Sequence, residues 1–253
     1  MKAWFTVDSI DENTFCISEN SHWEQTHCYL LNGSSHSLLI DTGLGICDIG
    51  RIVRELTDKT VIVVTTHAHW DHIGGHGCFS THYVHPFEAS WLQGAFPLPV
   101  ELVRNMVSDC AELPPDFCID RYTLFSCDHI GFLQDGEILS LGNRKIQALH
   151  TPGHSPGHLC FYEADRGYLF TGDLVYAGTL YAHYPSTDPK AFLHSLERIS
   201  GYPFKRVFPG HYTLDLVPQL VFDMLFAFRE LDEKGLLCHG SGVFSYDRWS
   251  IQL

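Results

Sequence analysis

The chain has 253 residues, 45% of them hydrophobic and 18% charged, with 16 Lys+Arg against 30 Asp+Glu for a formal net charge of −14. That is long and apolar enough to bury a core without disulfides or metal, which excludes a disordered chain, and its few, scattered cations exclude a general nucleic-acid binder. Nine cysteines, an odd number with no CxxC pair, fit reduced thiols; with no apolar leader and no uncharged stretch of about 18 residues, a cytoplasmic protein without a membrane span is expected.

The first stretch reads as short strands over residues 3–7, 14–18, 27–31 and 37–41, separated by polar and glycine-containing turns. Residues 48–56 carry Ile49, Ile52, Val53 and Leu56 at helical spacing, and the apolar run 61–64 follows as a buried strand. A helix feeding a buried strand predicts α/β layering. Beyond a His-rich loop, residues 86–92 and 98–107 read as helices and 113–120 as a connector. Strand signals return at 137–141 and 145–149 around a Gly142-Asn143-Arg144 turn, and at 158–162 and 168–170 around a second turn. Helices are expected at 189–199 and 218–233, with a short strand at 206–208 between them. The two halves share a strand-then-helix order, which predicts two facing mixed sheets with helices outside, in one domain over residues 1–253.

Histidine is abundant, 17 in the chain, and four potential ligands crowd into the loop after the 61–64 strand: His67-Ala68-His69-Trp70-Asp71-His72. Side chains at i and i+2 of an extended strand exit project to one side, so His67 and His69 can share one metal. As the backbone turns into a helix, Asp71 and His72 can face a second. Such a loop gives at most two ligands to each ion, and zinc-type sites need more. Three further candidates follow apolar strands, each behind a glycine: His154 after Gly153, Asp173 after Gly172 and His211 after Gly210.

The HxHxDH motif, the later His, Asp and His, and Ile40-Asp41-Thr42-Gly43 upstream together resemble the metallo-β-lactamase-fold hydrolase superfamily over nearly the whole chain. The resemblance implies an αββα four-layer sandwich and two Zn²⁺ per chain. His67, His69 and His154 would hold one ion, Asp71, His72 and His211 the other, and Asp173 would bridge them. Asp41 would steady the histidine loop from behind.

The same residues select within the superfamily. β-Lactamases of this fold carry Cys or Ser where this chain has Asp173, and flavodiiron proteins carry Glu at the position of His69. Nuclease branches have basic surfaces or a large insertion, whereas only 37 residues separate Asp173 from His211 here. What remains is the glyoxalase II, lactonase and acyl-thioesterase group. Leu133 to Gly142, Gly172-Asp173-Leu174-Val175-Tyr176 and Cys238-His239 resemble animal metallo-β-lactamase-domain proteins that hydrolyse acyl-CoA, while Tyr176 also matches the tyrosine of acyl-homoserine lactonases. The implied activity is thioester hydrolysis, with lactone hydrolysis as the alternative and a mononuclear-iron sulfur dioxygenase as the alternative of another class. Glutathione thioesters are expected to be poor substrates, because Arg229, Lys234 and Arg248 are the sole cations among the 42 residues after His211.

In this reading Asp71 is both ligand and proton acceptor, and Tyr176 donates to the developing oxyanion. Trp23 and Tyr181 are candidates for an apolar substrate pocket. His76 and His158, close to the motifs, are expected to be hydrogen-bonded structural residues, and Cys28 and Cys160 small buried hydrophobes rather than nucleophiles. The oligomeric state stays open, a homodimer included.

Overall fold

The computed structural model describes residues 3–110 and 112–253. They divide into two compact units, one running up to Leu133 and including Ser140–Arg144, the other formed by Gln134–Leu139 and Lys145–Leu253.

The first unit is built on a seven-stranded sheet of β1 (Thr6–Asp11), β2 (Thr14–Ser18), β3 (His27–Asn32), β4 (Ser37–Ile40), β5 (Val61–Val64), β6 (His82–Val84) and β7 (Gly131–Phe132), in that spatial order. The pairs from β1 to β4 are antiparallel and those from β4 to β7 parallel. The change of sense needs a crossover, and α1 (Ile49–Leu56) supplies it between β4 and β5. Asp48 caps this helix by accepting from the Arg51 amide, and Ile49 and Val53 pack on Ile17, Leu30, Leu39 and Val63. Three further helices follow: α2 (Trp70–Ile73), α3 (Ala89–Leu92) and α4 (Val100–Ser108). Residues 86–92, expected as one helix, are a 3₁₀ turn, Pro86–Glu88, leading into α3. β1 starts three residues later than the 3–7 expectation because it is a largely exposed, polar edge strand with no apolar alternation to mark it.

The second unit carries β8 (Ile138–Ser140), β9 (Lys145–His150), β10 (Leu159–Glu163), β11 (Tyr168–Gly172), β12 (Thr179–Tyr181), β13 (Arg206–Pro209), β14 (Val243–Ser245) and β15 (Ser250–Gln252). Five of these form a sheet in the order β13-β11-β10-β9-β8, antiparallel from β9 to β11 and parallel between β11 and β13, while β12-β15-β14 form a small separate sheet. The crossover from β11 to β13 contains α5 (Pro189–Ser200), and α6 (Gln219–Glu233) follows β13. Asp188 caps α5 through the Lys190 and Ala191 amides, with Pro189 at the first helical position. Phe192 of α5 and Phe228 of α6 stack at 4.9 Å in the main core of this unit. No helix of the described residues is long and apolar enough to cross a membrane.

Arg144, expected as a turn residue, is 1% exposed. Its guanidinium donates to Asn13 O at 2.8 Å, Asn32 O at 3.5 Å and Thr14 Oγ1 at 3.0 Å, so it ties the 142–144 turn to the β1–β2 and β3–β4 ends of the first sheet. Only a buried side chain with a fan of donors does this, which is why an arginine outranks a hydrophobe here. Arg144→Met keeps the aliphatic stem and strands the acceptors; the expected loss is roughly 3 kcal/mol, read as a lower urea midpoint at unchanged m-value.

Candidate metal centre

The histidine loop leaves β5 through Thr65 and Thr66 and is braced from three sides within the first unit. Asp41, at the end of β4, accepts from the Thr66 amide (2.7 Å), the Thr66 hydroxyl (2.7 Å) and His72 Nδ1 (2.9 Å). It sits at φ +59°, a left-handed conformation a non-glycine residue seldom holds. Glu88, fully buried, accepts the Ala68 amide between the two leading histidines. His76 lies between Thr42 Oγ1 (2.6 Å) and Thr65 Oγ1 (2.8 Å), and burial holds its pKa well below the usual histidine range. A neutral ring with one nitrogen donating and the other accepting satisfies both hydroxyls, the structural role the sequence predicts for it.

These braces fix tautomers. His72 donates Nδ1–H to Asp41, so its lone pair is on Nε2, 3.4 Å from Asp71 Oδ2. The Thr66 hydroxyl spends its proton on Asp41 and therefore accepts from His67 Nδ1 at 3.1 Å, which puts the His67 lone pair on Nε2. That Nε2 lies 3.0 Å from His69 Nδ1, and the His67 ring centroid is 4.1 Å from that of His72. Imidazole nitrogens and a carboxylate brought this close, buried except for the half-buried His69, form a donor set that suits a divalent cation. The first unit thus brings His67, His69, Asp71 and His72 together beside Asp41.

Glu88 escaped the sequence reading, as did Glu19, because single carboxylates outside a motif carry no spacing signal. Glu19 accepts from Trp4 Nε1 and the Leu44 amide, both at 2.7 Å, and burial pushes its carboxyl up to about 7. It secures the turn after Asp41 at Gly43, whose φ of +73° and contact with the Glu19 carboxyl leave no room for a Cβ. Trp23 is 38% exposed and sits beside His22 and Trp70, with its indole N–H on Met106 O.

The second unit assembles its own cluster. Asp173 Oδ2 lies 3.5 Å from His154 Nε2 and 3.1 Å from His211 Nε2, all three side chains being buried. His158 Nε2 accepts the Asp173 amide at 3.2 Å and its Nδ1 donates to Thr151 Oγ1 at 2.9 Å, so this histidine, expected as structural, holds the Asp173 turn. Gly153 has φ +141°, and a Cβ there would meet the Phe192 backbone at 2.4 Å. The glycine is what lets the His154 turn lie against the start of α5. Gly210 likewise leaves the space in which Asp173 Oδ1 sits beside His211.

Tyr176 is buried, with its ring edge-on to His211 at 5.5 Å and its hydroxyl donating to Thr179 O at 2.5 Å. Tyr181 is half-buried against His183 and Tyr184. Cys28 and Cys160 are wholly buried with thiol pKa values raised by burial, so neither is a nucleophile.

Because Asp41 orients His72 and Thr66 together, Asp41→Asn, which cannot accept from all three donors, is expected to weaken metal binding about 10- to 100-fold. Competition titration against a chelating dye measures it. Unchanged affinity would show that the loop holds its shape without that carboxylate.

A family model described as the metallo-beta-lactamase superfamily matches residues 22–211. The human protein "Acyl-coenzyme A thioesterase MBLAC2" is 29% identical over 229 residues, covering 83% of this chain and 81% of its own. "Hydroxyacylglutathione hydrolase GloC" of Haemophilus influenzae is 27% identical over 177 residues, covering 68% of this chain and 77% of its own. Among solved structures, the metallo-beta-lactamase family protein TTHA1429 of Thermus thermophilus is similar with a TM-score of 0.66 at 21% identity, over 90% of this chain and 83% of that one. The mixed α/β fold is therefore the metallo-β-lactamase fold, and the chain belongs to the metallo-β-lactamase superfamily.

Proposed function

We propose that the chain is a hydrolase of acyl-CoA-like thioesters that works with two zinc ions. In this reading, which follows the resemblance of the motifs, His67, His69 and His154 would hold one ion, Asp71, His72 and His211 the other, and Asp173 would serve both. The observation that carries the reading is the single carboxylate oxygen of Asp173 within reach of two histidines, His154 and His211, the arrangement a bridging ligand requires. The donors are imidazole and carboxylate with no thiolate, a set that fits zinc and is shared by iron and manganese. The thioester class is supported by the likeness to the human acyl-CoA thioesterase across most of both chains.

Two divalent ions held there would supply Lewis acidity and an acidified water. The protein's own part is to place groups around the carbonyl. Asp71 accepts the proton of the attacking water. Tyr176 reaches the developing oxyanion by exchanging the Thr179 carbonyl for the substrate oxygen, a neutral donor that does not compete for the metals as a carboxylate would. A second reading, glutathione thioester hydrolysis, is favoured by the likeness to GloC. Against it, Arg229 is bonded to Glu197 at 2.8 Å and Lys234 to Glu230 at 2.5 Å, so two of the three late cations are already engaged.

On the metal-loaded chain, a long-chain acyl-CoA is expected to show a higher kcat/KM than S-lactoylglutathione, an acyl-homoserine lactone and a chromogenic cephalosporin assayed beside it. A lactone or the glutathione thioester in first place would replace the thioester or the CoA part of the proposal. Elemental analysis should find two zincs per chain, and chelation should abolish turnover; one iron per chain would favour sulfur dioxygenase chemistry instead. Asp173→Ala should remove most activity and at least one metal.

Tyr176→Phe keeps the ring and removes the donor, with an expected kcat loss of about 10²-fold at unchanged metal content. Unchanged kcat would leave the hydroxyl a purely structural link to Thr179.

A further inference from the structure

The segment that follows β6 meets the histidine loop twice. The 3₁₀ turn Pro86–Glu88 leads directly into α3, and Ala89 and Leu92 seat the segment in an apolar cluster with Ala68, Ile73 and Val84. From that seat Glu88 takes the Ala68 amide, and Trp91, three residues on, lays its indole on the His69 imidazole. The two ring centroids are 5.8 Å apart and the planes 8° from parallel, while Phe96 meets the same indole edge-on at 6.3 Å. These are the offset-stacked and T-shaped arrangements that ring quadrupoles favour.

His69 needs such a contact more than its neighbours do. His67, Asp71 and His72 are buried, whereas His69 and Trp91 are both half-buried. An imidazole offers its lone pair in the plane of the ring, and the torsion that turns the ring is broad. His72 and His67 have that torsion set by hydrogen bonds from Nδ1, to Asp41 and to Thr66. In His69 the Nδ1 atom is instead turned into the cluster, 3.0 Å from His67 Nε2. The bracing that serves the other two is therefore not open to it, and its ring is covered on the face by an indole. Rotating the imidazole would drive its edge into that indole, so a flat neighbour restrains the same torsion that a hydrogen bond restrains elsewhere.

We propose that Trp91 is a positioning residue of the metal centre, which holds the His69 ring in the orientation that binds an ion and slows the escape of that ion. This rests on the reading of His69 as a ligand and adds to it a residue that touches no ion. The consequence is chiefly kinetic, because an ion leaves by shedding its ligands in turn. His69, the least buried of the four ligand-type side chains of its loop, is the first to swing away unless the indole keeps it.

Zinc transfer from the loaded chain to an excess of a chromogenic chelator reads the release of each ion, and His69→Ala identifies the phase that belongs to His69. Trp91→Leu keeps apolar bulk without a ring; it is expected to speed that phase about tenfold and leave the other within about twofold, at unchanged Tm. Trp91→Phe, a smaller ring that still stacks, should stay within about threefold of the wild type. In the metal-free wild type, proton NMR should show the His69 ring protons shifted upfield by the indole ring current, a shift that Trp91→Leu removes. Wild-type release in Trp91→Leu, equal effects of Leu and Phe, or both phases quickened alike would each overturn the proposal while leaving His69 a ligand. So would an unshifted His69 ring in the wild type, whatever the variants do. A wild type that takes up no zinc, or a His69→Ala chain that releases it unchanged, would instead remove the metal-centre reading and this proposal with it.

Discussion

The carboxylate of Asp41 ties the two ends of the histidine loop together, Thr66 at its start and His72 at its close. One side chain at the end of β4 takes the amide and hydroxyl of Thr66 and the Nδ1 proton of His72, and by doing so decides which nitrogen of His72, and through Thr66 which nitrogen of His67, presents a lone pair. The backbone accepts a left-handed turn at a non-glycine residue to place it there, a conformational cost of order 1 kcal/mol or more. Three charge-assisted hydrogen bonds in a buried setting outweigh that cost. The side chains at both ends of the loop are thus oriented by hydrogen bonds within the first unit.

The second unit solves the same problem with different chemistry. There the anchoring group is His158, which accepts a backbone amide rather than donating to a carboxylate. Asp173 is therefore positioned through its main chain, and its carboxylate is turned toward His154 and His211. Glycines at 153, 172 and 210 let each turn be tight, because each candidate ligand follows immediately after a strand or a sharp bend. A loop held by its backbone can present a side chain to two neighbours at once, which a loop held by that side chain could not.

Much of this was legible in the sequence, for identifiable reasons. The HxHxDH run and the three glycine-led residues carry their chemistry in residue type and spacing, and β5 is legible because its apolar content is unbroken. Strands of two or three residues such as β7 and β12 were missed, since a period of two cannot be counted over so short a length. The hydrogen bond of Tyr176 to Thr179 was equally hidden, because a hydroxyl's partner depends on how the loop closes and not on which residues it contains. Arg144 misled most: beside Gly142 and Asn143 it looks like a solvated turn residue, yet it is among the most buried side chains of the first unit.

Glu88 belongs to the same class of residues that are silent in a motif, and its position has a consequence for how the chain can vary. It stands in a short 3₁₀ turn, distant in sequence from the histidines, and its carboxylate holds the amide of Ala68, the one residue that separates His67 from His69. Its neighbours Ala89 and Leu92 contribute bulk to a small apolar cluster, and bulk is interchangeable among hydrophobes. The carboxylate is not, since no apolar side chain of the same volume can accept that proton. Sequence drift in this segment is therefore free at the residues that look like core and closed at the one that looks out of place there.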